Sequence, residues 1–321
     1  MSKHTLKIDA HLHVNFKNLN PRSIINYLDK NNLDACWLLS WEEYFPYPPT
    51  YIHLPIEEIF EFYSRYPDRI IPMYAPDPTD PAYPQNIDKW IKMGIRGIGE
   101  LKVRLKWTSS HLFKLLAIAS IYQLPVVFHM ENGTEVLNTP RNLSEKYIFR
   151  CIRSNKFNEY PRKIINRIST YNRTIRKIRE RERYHLIGYL EDLQALEQRL
   201  LEFPKVNFIG HGPLFWKGIS GNESDPVYST HPVVANGRLL KLLENDNLYA
   251  DLSGLSGFRA LSRDLKFSKW FIDRFQDKLL FGTDNFDLGL SELLLKLKLP
   301  TEVLQKVMGS NAQQLIQKKI C

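Results

Sequence analysis

The chain has 321 residues, 43% apolar and 25% charged, an ordinary balance for a soluble globular protein that excludes a disordered chain. No run approaches the ~18 apolar residues needed to cross a bilayer, which excludes a helical membrane span. The net charge of +9 is not spread evenly: between residues 141 and 183 there are 14 Lys or Arg against 4 Asp or Glu, so one segment accounts for the whole excess.

The length fits one α/β barrel of roughly 250 residues plus insertions as readily as two domains. Residues 1–7 are too polar and too short for a signal peptide, so a cytoplasmic location is expected. Cys36, Cys151 and Cys321 are odd in number and far apart, without a C-x-x-C pair. This argues against both a disulfide framework and a zinc ribbon, and leaves histidine and carboxylate as the ligands of any metal.

In chain order, residues 6–14 read as a strand ending in His11-Leu12-His13. Side chains two apart on a strand share a face, so both imidazoles are expected on one side with Asp9 below them. A helical spacing over 21–32 starts at a proline suited to a first turn. The run 35–40 reads as a buried strand, and the proline- and aromatic-rich stretch 44–55 as a loop. A helix is expected at 56–66, a strand at 70–75 and a helix at 85–93. Then come a strand at 95–102 with Gly99-Glu100, a helix at 110–122 and a strand at 125–131 with His129. This alternation is the pattern of βα units on a parallel sheet.

The alternation then stops for the 74 residues from 132 to 205, about twice what a crossover with one helix needs. Residues 186–203 read as the barrel's own helix, and 133–184 as a basic helical insertion beside the barrel mouth, where βα loops lie. The insertion has three open readings: a solvated face or lid, an oligomer contact such as that of a homodimer, and a phosphate-contacting surface for nucleic acid. It interleaves Tyr160, Tyr171 and Tyr184 with its arginines but carries no recognised nucleic-acid motif. A strand at 206–212 with His211 follows, then a Gly-rich loop to Pro232, a helix at 233–244, a strand at 248–253 and a helix at 268–275. The last strand, 279–284, ends in Asp284. Helices at 290–296 and 301–308 follow, then Gly309 as a C-cap and Ser310 as the N-cap of a final helix from Asn311. Eight strands, each followed by a helical stretch, with no fixed-period repeat, predict one α/β domain over 1–321. It is a (β/α)8 TIM barrel with a helical insertion between strands 5 and 6.

Polar residues recur at the strand ends where a barrel builds its active site: His11, His13, Glu100, His129, His211 and Asp284. Each alone has a plain structural reading: a hydrogen-bonded core histidine, Glu100 paired with Lys102 or Arg104, a Gly-Thr-Asp turn. Together they place four of the nine histidines at the ends of apolar strands, where an uncoordinated charge is costly to bury. A metal site accounts for all of them. Lys102, on the same strand face as Glu100, is a candidate for gripping an anionic substrate or for a bridging carbamate. Trp216 and Lys217 in the loop after His211, His231 before Pro232, and Trp41 at the end of strand 2 are candidates for the substrate pocket, against the plainer reading of barrel rim.

The run Ile8-Asp9-Ala10-His11-Leu12-His13, the ends Phe128-His129 and Gly210-His211-Gly212, and the stretches Tyr249-Ala250-Asp251-Leu252-Ser253-Gly254 and Phe281-Gly282-Thr283-Asp284 resemble the amidohydrolase superfamily. More narrowly they resemble its amidohydrolase-related, aminocarboxymuconate-semialdehyde decarboxylase-like branch, as does Gly309-Ser310-Asn311-Ala312 near the C-terminus. The resemblance covers the chain except the basic insertion. It implies that His11, His13, His129 and Asp284 bind one divalent metal, with Asp284 moving a proton and His211 polarising the carbonyl or acting as acid–base group. Three imidazoles and a carboxylate suit Zn²⁺, with Mn²⁺ or Fe²⁺ as alternatives. Gly99-Glu100 resembles the Gly-Glu of TatD-type deoxyribonucleases, whose glutamate bridges two metals. In that case His211 becomes a ligand of the second ion. The expected function is hydrolysis of a small anionic amide, ester or lactone by metal-activated water. The alternatives are a non-oxidative metal-dependent decarboxylase and a TatD-like nuclease or nucleic-acid-binding protein.

Overall fold

The computed structural model describes residues 6–14, 20–41, 54–131, 189–285 and 288–316. The insertion expected at 133–184 and nearly all of the loop at 44–55 lie outside the described residues. Eight parallel strands follow in chain order: β1 (Ile8–Leu12), β2 (Ala35–Leu39), β3 (Ile70–Met73), β4 (Ile98–Leu101), β5 (Val126–His129), β6 (Phe208–His211), β7 (Leu248–Asp251) and β8 (Leu279–Leu280). Three form one ladder and five another, and main-chain contacts join them at both seams. Met73 bridges Gly97 in parallel, and the Tyr74 N–H donates to Gly97 O at 3.0 Å. Opposite, the Ala10 N–H donates to Phe281 O and the Asp284 N–H to His11 O, each at 2.8 Å. The strands close into the expected barrel.

Strand alternation sorts the apolar residues into two layers. Ile8, Ala10, Ala35, Trp37, Leu39, Met73, Val127, Ile209 and Leu280 fill the barrel interior. Their neighbours in sequence, such as Cys36, Leu38, Val126, Phe128 and Phe208, face outward against the helices. Burying a side chain such as Leu39 or Phe208 contributes about 1.5–3 kcal/mol. The helices are α1 (Pro21–Lys30), α2 (Ile56–Arg65), α3 (Tyr83–Met93), α4 (Ser110–Tyr122), α5 (Leu193–Glu202), α6 (Pro213–Lys217), α7 (Arg238–Leu242), α8 (Gly254–Ser262), α9 (Leu265–Arg274), α10 (Leu290–Lys296), α11 (Thr301–Gln305) and α12 (Asn311–Ile316). Asn20 and Ser23 form a reciprocal capping box on α1. Among the described residues no helix is long and apolar enough to cross a membrane.

Four expectations change. The helix expected from residue 186 begins at Leu193, because the Asp192 carboxylate accepts from the Gln194 and Ala195 N–H groups and starts it there. Tyr189, just upstream, pairs instead with Glu131 in an antiparallel bridge. The helix expected at 233–244 shrinks to α7, since the backbone of Val234 is engaged by Ser220 Oγ and the Gly221 N–H. The helix expected at 268–275 starts earlier, at Leu265, capped by Asp264, and a further helix, α8, precedes it.

Gly309 is not a C-cap. The chain passes through a π-helical turn, Lys306–Ser310, straight into α12, and a Cβ on Gly309 would lie 1.7 Å from the Leu6 carbonyl oxygen. The glycine is there for close approach to the chain entering β1. Beside it, the Asn311 amide donates to Gln276 O at 2.7 Å and to Leu279 O at 2.8 Å, while Ala312 and Leu315 join the interior layer. The C-terminal segment thus seals the end of the barrel opposite the histidines. Asn311→Ala leaves both carbonyls without their donor and is expected to cost about 1–3 kcal/mol, read as a lower urea midpoint with an unchanged slope.

Candidate metal centre

β1 carries His11 and His13 inward by a break in its pairing register between Asp9 and Leu12. Ile8 and Ala10 face the interior, which places Asp9 on the outer side. There its carboxylate accepts from Tyr27 Oη at 2.8 Å, Thr283 Oγ1 at 2.7 Å, and the His11 and Thr283 N–H groups at 3.1 Å. Burial pushes its pKa up to about 6 against those hydrogen bonds. Asp9 therefore does not lie below the imidazoles as simple alternation predicts. β4 uses the same device: its register breaks between Ile98 and Leu101, and Gly99 and Glu100 both turn inward. Such breaks re-aim side chains at barrel rims.

Four imidazoles converge, each with its rear nitrogen held. His13 Nδ1 donates to Leu39 O at 2.8 Å, and His11 Nδ1 lies 2.5 Å from Asp251 Oδ2. His211 Nδ1 lies 3.0 Å from Ser253 Oγ, and His129 Nε2 3.0 Å from Glu131 Oε2. A partner held behind each ring turns the forward nitrogen into the cluster, the side from which a metal would be bound. The forward atoms meet around Glu100. His11 Nε2 and His13 Nε2 are 3.2 Å apart, with Glu100 Oε2 at 4.0 and 3.4 Å and Asp284 Oδ1 at 3.8 and 3.6 Å. Bonds of about 2.0–2.1 Å to a tetrahedral ion leave neighbouring ligand atoms about 3.3 Å apart, so this set fits one ion. The other Glu100 oxygen, Oε1, lies 2.7 Å from His129 Nδ1 and 4.0 Å from His211 Nε2, and Asp284 Oδ2 is 3.9 Å from His211 Nε2. Glu100 thus belongs to two of the three groups that could hold an ion, His11–His13–Glu100 and Glu100–His129–His211; the third is His11–His211–Asp251.

Buried groups of both signs meet in the cluster and shift one another. Burial acts to lower the pKa of His11, but Asp251, Asp284 and Glu100 outweigh it and push it up to about 10. Burial acts to raise Glu100, but His129, His13 and Lys102 hold it well below the usual carboxylate range. Lys102 stays an ammonium, burial being outweighed by Glu100 and Glu131. His211 is held low by burial and by the charge on His11.

The structure brings Lys102 and Trp41 to the cluster. The Lys102 ammonium lies 3.9 Å from Glu131 Oε2, 4.9 Å from the Trp41 ring centre and 5.5 Å from that of Tyr189, and the Trp41 ring meets His13 edge-on. Trp216, Lys217 and His231 are not brought there. Gly212, at φ 98°, and α6 turn the chain away after His211, so Trp216 is buried among Phe215 and Phe271 with its Nε1 donating to Asp251 O at 3.0 Å. Trp216 and Lys217 line a separate cleft that Asp225 and Arg263 also border, and the His231 side chain, 70% exposed, lies 3.3 Å from Asp225 Oδ1. Sequence reasoning missed Asp251, Glu131, Ser253, Tyr189 and Asn285. The Asn285 amide accepts from the His13 N–H and donates to His13 O, both at 2.7 Å. Asp251 ends a strand, as the candidate ligands do, and that signal was available. Gly254, at φ 69°, forms the wall beside Asp284; a Cβ there would lie 3.0 Å from Asp284 Oδ2 and 3.3 Å from His211 Cε1.

No protein-family model matches the chain, and no curated protein matches it in sequence. Solved structures match it in fold. A probable 2-pyrone-4,6-dicarboxylic acid hydrolase from Acinetobacter baumannii, with citric acid bound, is 14% identical with a TM-score of 0.52, over 97% of this chain and 98% of that one. An amidohydrolase from Burkholderia multivorans with bound Zn is 12% identical with a TM-score of 0.54, over 97% and 99%. The 5-carboxyvanillate decarboxylase of Sphingomonas paucimobilis is 12% identical with a TM-score of 0.50, over 98% and 99%. These matches run nearly end to end on both sides and establish a shared fold.

Proposed function

We propose that the chain is a metal-dependent hydrolase of the amidohydrolase superfamily, acting on a small anionic amide, ester or lactone. The observation that carries the reading is the convergence of four imidazole nitrogens on the two oxygens of Glu100, each ring with its rear nitrogen already engaged. Two divalent ions would be held, one by His11, His13 and Glu100 and one by Glu100, His129 and His211, with Asp284 beside both groups. His211 is then a ligand of the second set instead of a free acid–base group, and His129 stands beside it instead of beside His11 and His13. Imidazole and carboxylate donors suit Zn²⁺, the ion bound in the Burkholderia structure.

When bound, such ions supply Lewis acidity, polarising a carbonyl and lowering the pKa of a water from ~15.7 to about 7. Asp284, at 19% the most exposed carboxylate among Glu100, Asp251 and itself, would be the group to accept a proton from such a water and pass it to the leaving group. Lys102, between Trp41 and Tyr189, grips the substrate's anionic group, and its burial strengthens that pairing. Trp41 and Tyr189 flank the ligand.

Turnover of a panel of lactones, esters, amides and carboxylic acids in ¹⁸O-labelled water tests the reading. Label in an acid product supports hydrolysis; release of CO₂ without label overturns it in favour of decarboxylation. The nucleic-acid reading rested on a segment outside the described residues, and retention on heparin at physiological salt is its test.

Ion uptake is also expected to release protons. A ligating imidazole must be neutral, yet without an ion His11 keeps its proton up to about pH 10. Near pH 7 uptake therefore expels a proton from His11, and affinity rises with pH by about tenfold per unit for that proton until pH 10. Calorimetry in two buffers of different ionisation enthalpy reads the release; equal heats in both would refute it.

A further inference from the structure

Asp251 groups with His11 and His211, and so touches both of the sets that share Glu100. Asp251 ends β7, a strand that supplies no forward nitrogen or oxygen, and it is buried. Its Oδ2 lies 2.5 Å from His11 Nδ1 and 3.3 Å from His211 Nδ1. The same oxygen accepts from Ser253 Oγ at 2.9 Å, and that hydroxyl oxygen faces His211 Nδ1 at 3.0 Å. The hydrogens therefore run in one consistent chain: His211 donates to Ser253, Ser253 donates to Asp251, and His11 donates to Asp251 from the other side. Asp251 is itself fixed, because its Oδ1 accepts from the Ser253 N–H at 2.9 Å and its main-chain oxygen accepts from Trp216 Nε1. At 2.5 Å the His11–Asp251 separation is a hydrogen bond, too short for two ligands of one tetrahedral ion, which sit about 3.3 Å apart.

We propose that Asp251 is a positioning residue that couples the two halves of the metal centre, setting the tautomer and aim of His11 in one ligand set and of His211 in the other. This rests on the metal-centre reading above. The other rear partners serve one ring each: Leu39 O holds His13, and Glu131 holds His129. Asp251 alone, among the described residues, stands behind one histidine of each set. Disturbing it therefore acts at both positions, whereas disturbing Glu131 or Ser253 acts at one.

The test is titration of the metal-free chain with Zn²⁺ against a chromophoric chelator, comparing wild type with Asp251→Asn, Ser253→Ala and Glu131→Gln. Losing an outer partner of a ligating histidine costs about 10–100-fold in metal affinity. Two uptake events are expected in the wild type, and Asp251→Asn weakens both by about that factor. Ser253→Ala and Glu131→Gln each weaken one event and spare the other. A purely structural loss would move all three variants alike, together with their metal-free melting. If Asp251→Asn fails to fold, Asp251→Glu, which keeps the charge and displaces the oxygen, decides: the coupling is overturned if it leaves either event unchanged. An Asp251→Asn chain that loses one event or none, or a wild type that takes up a single ion, also overturns the coupling. A wild type that takes up no ion overturns the metal-centre reading itself.

Discussion

Glu100→Ala is expected to abolish uptake of both of the ions proposed for the centre and to lower turnover by more than the roughly 10–100-fold that loss of an outer partner costs. One oxygen of the carboxylate faces the His11–His13 pair and the other faces His129 and His211, so its loss removes a donor from each proposed set at once. A second effect is on folding. Lys102 is 4% exposed, and Glu100 is the first of the charges that hold it as an ammonium. A buried charge that loses its partner costs about 3–5 kcal/mol; Glu131 at 3.9 Å offsets part of that. Glu100→Gln keeps the shape and removes the charge, so its melting temperature separates electrostatics from packing. Metal analysis per chain is the primary measurement, and full metal content in Glu100→Ala would sink the bridging role.

The second large effect lies at the opposite end of the barrel. Gly309→Ala places a methyl 1.7 Å from Leu6 O, 2.7 Å from Leu6 C and 3.1 Å from Lys7 Cα. All three atoms are main chain, so no side-chain rotation relieves the clash. Overpacking in a core costs about 1–3 kcal/mol and occasionally more, and rigid neighbours put this site at the upper end. Against a net stability of about 5–15 kcal/mol, a marked fall in melting temperature and soluble yield is expected. Because the displaced backbone leads directly into β1, affinity for the proposed ions is expected to fall as well. A variant that melted like the wild type would show that Gly309 is not a contact point.

The barrel was legible because its strands, buried on both faces, stand out as short apolar runs, and because the ligand side chains are the polar exceptions at their ends. Glu100, His129, His211 and Asp284 all announce themselves this way. Asp251 does too, but its partner is 240 residues away in sequence, and a pairing over that distance leaves no local trace. Asn285 clamping His13 across 272 residues is hidden for the same reason. The placement of Asp9 was misjudged because strict alternation fails where a strand breaks register, and nothing in Ile8-Asp9-Ala10-His11 signals the break. Trp216 was misplaced because a glycine at positive φ redirects the chain after His211. Gly309 read as a helix stop when the constraint on it is the chain entering β1.

The seam between the first and last strands ties assembly to activity. The Asp284 N–H bond to His11 O and the Asn285 clamp on His13 close the ring of strands, and His11, His13 and Asp284 are members of the proposed metal centre. A chain folded only through β7 would hold His11, His13, Glu100, His129 and His211 but would lack Asp284 and the bonds that fix the end of β1. An ion that binds the closed ring more tightly than the open one then acts as a latch, adding RT ln(1 + [ion]/Kd) to the stability of the finished molecule. Chelation should loosen that seam before any other, so hydrogen exchange at Asp284 and Ala10 would speed up first while the β5–β6 ladder stays protected.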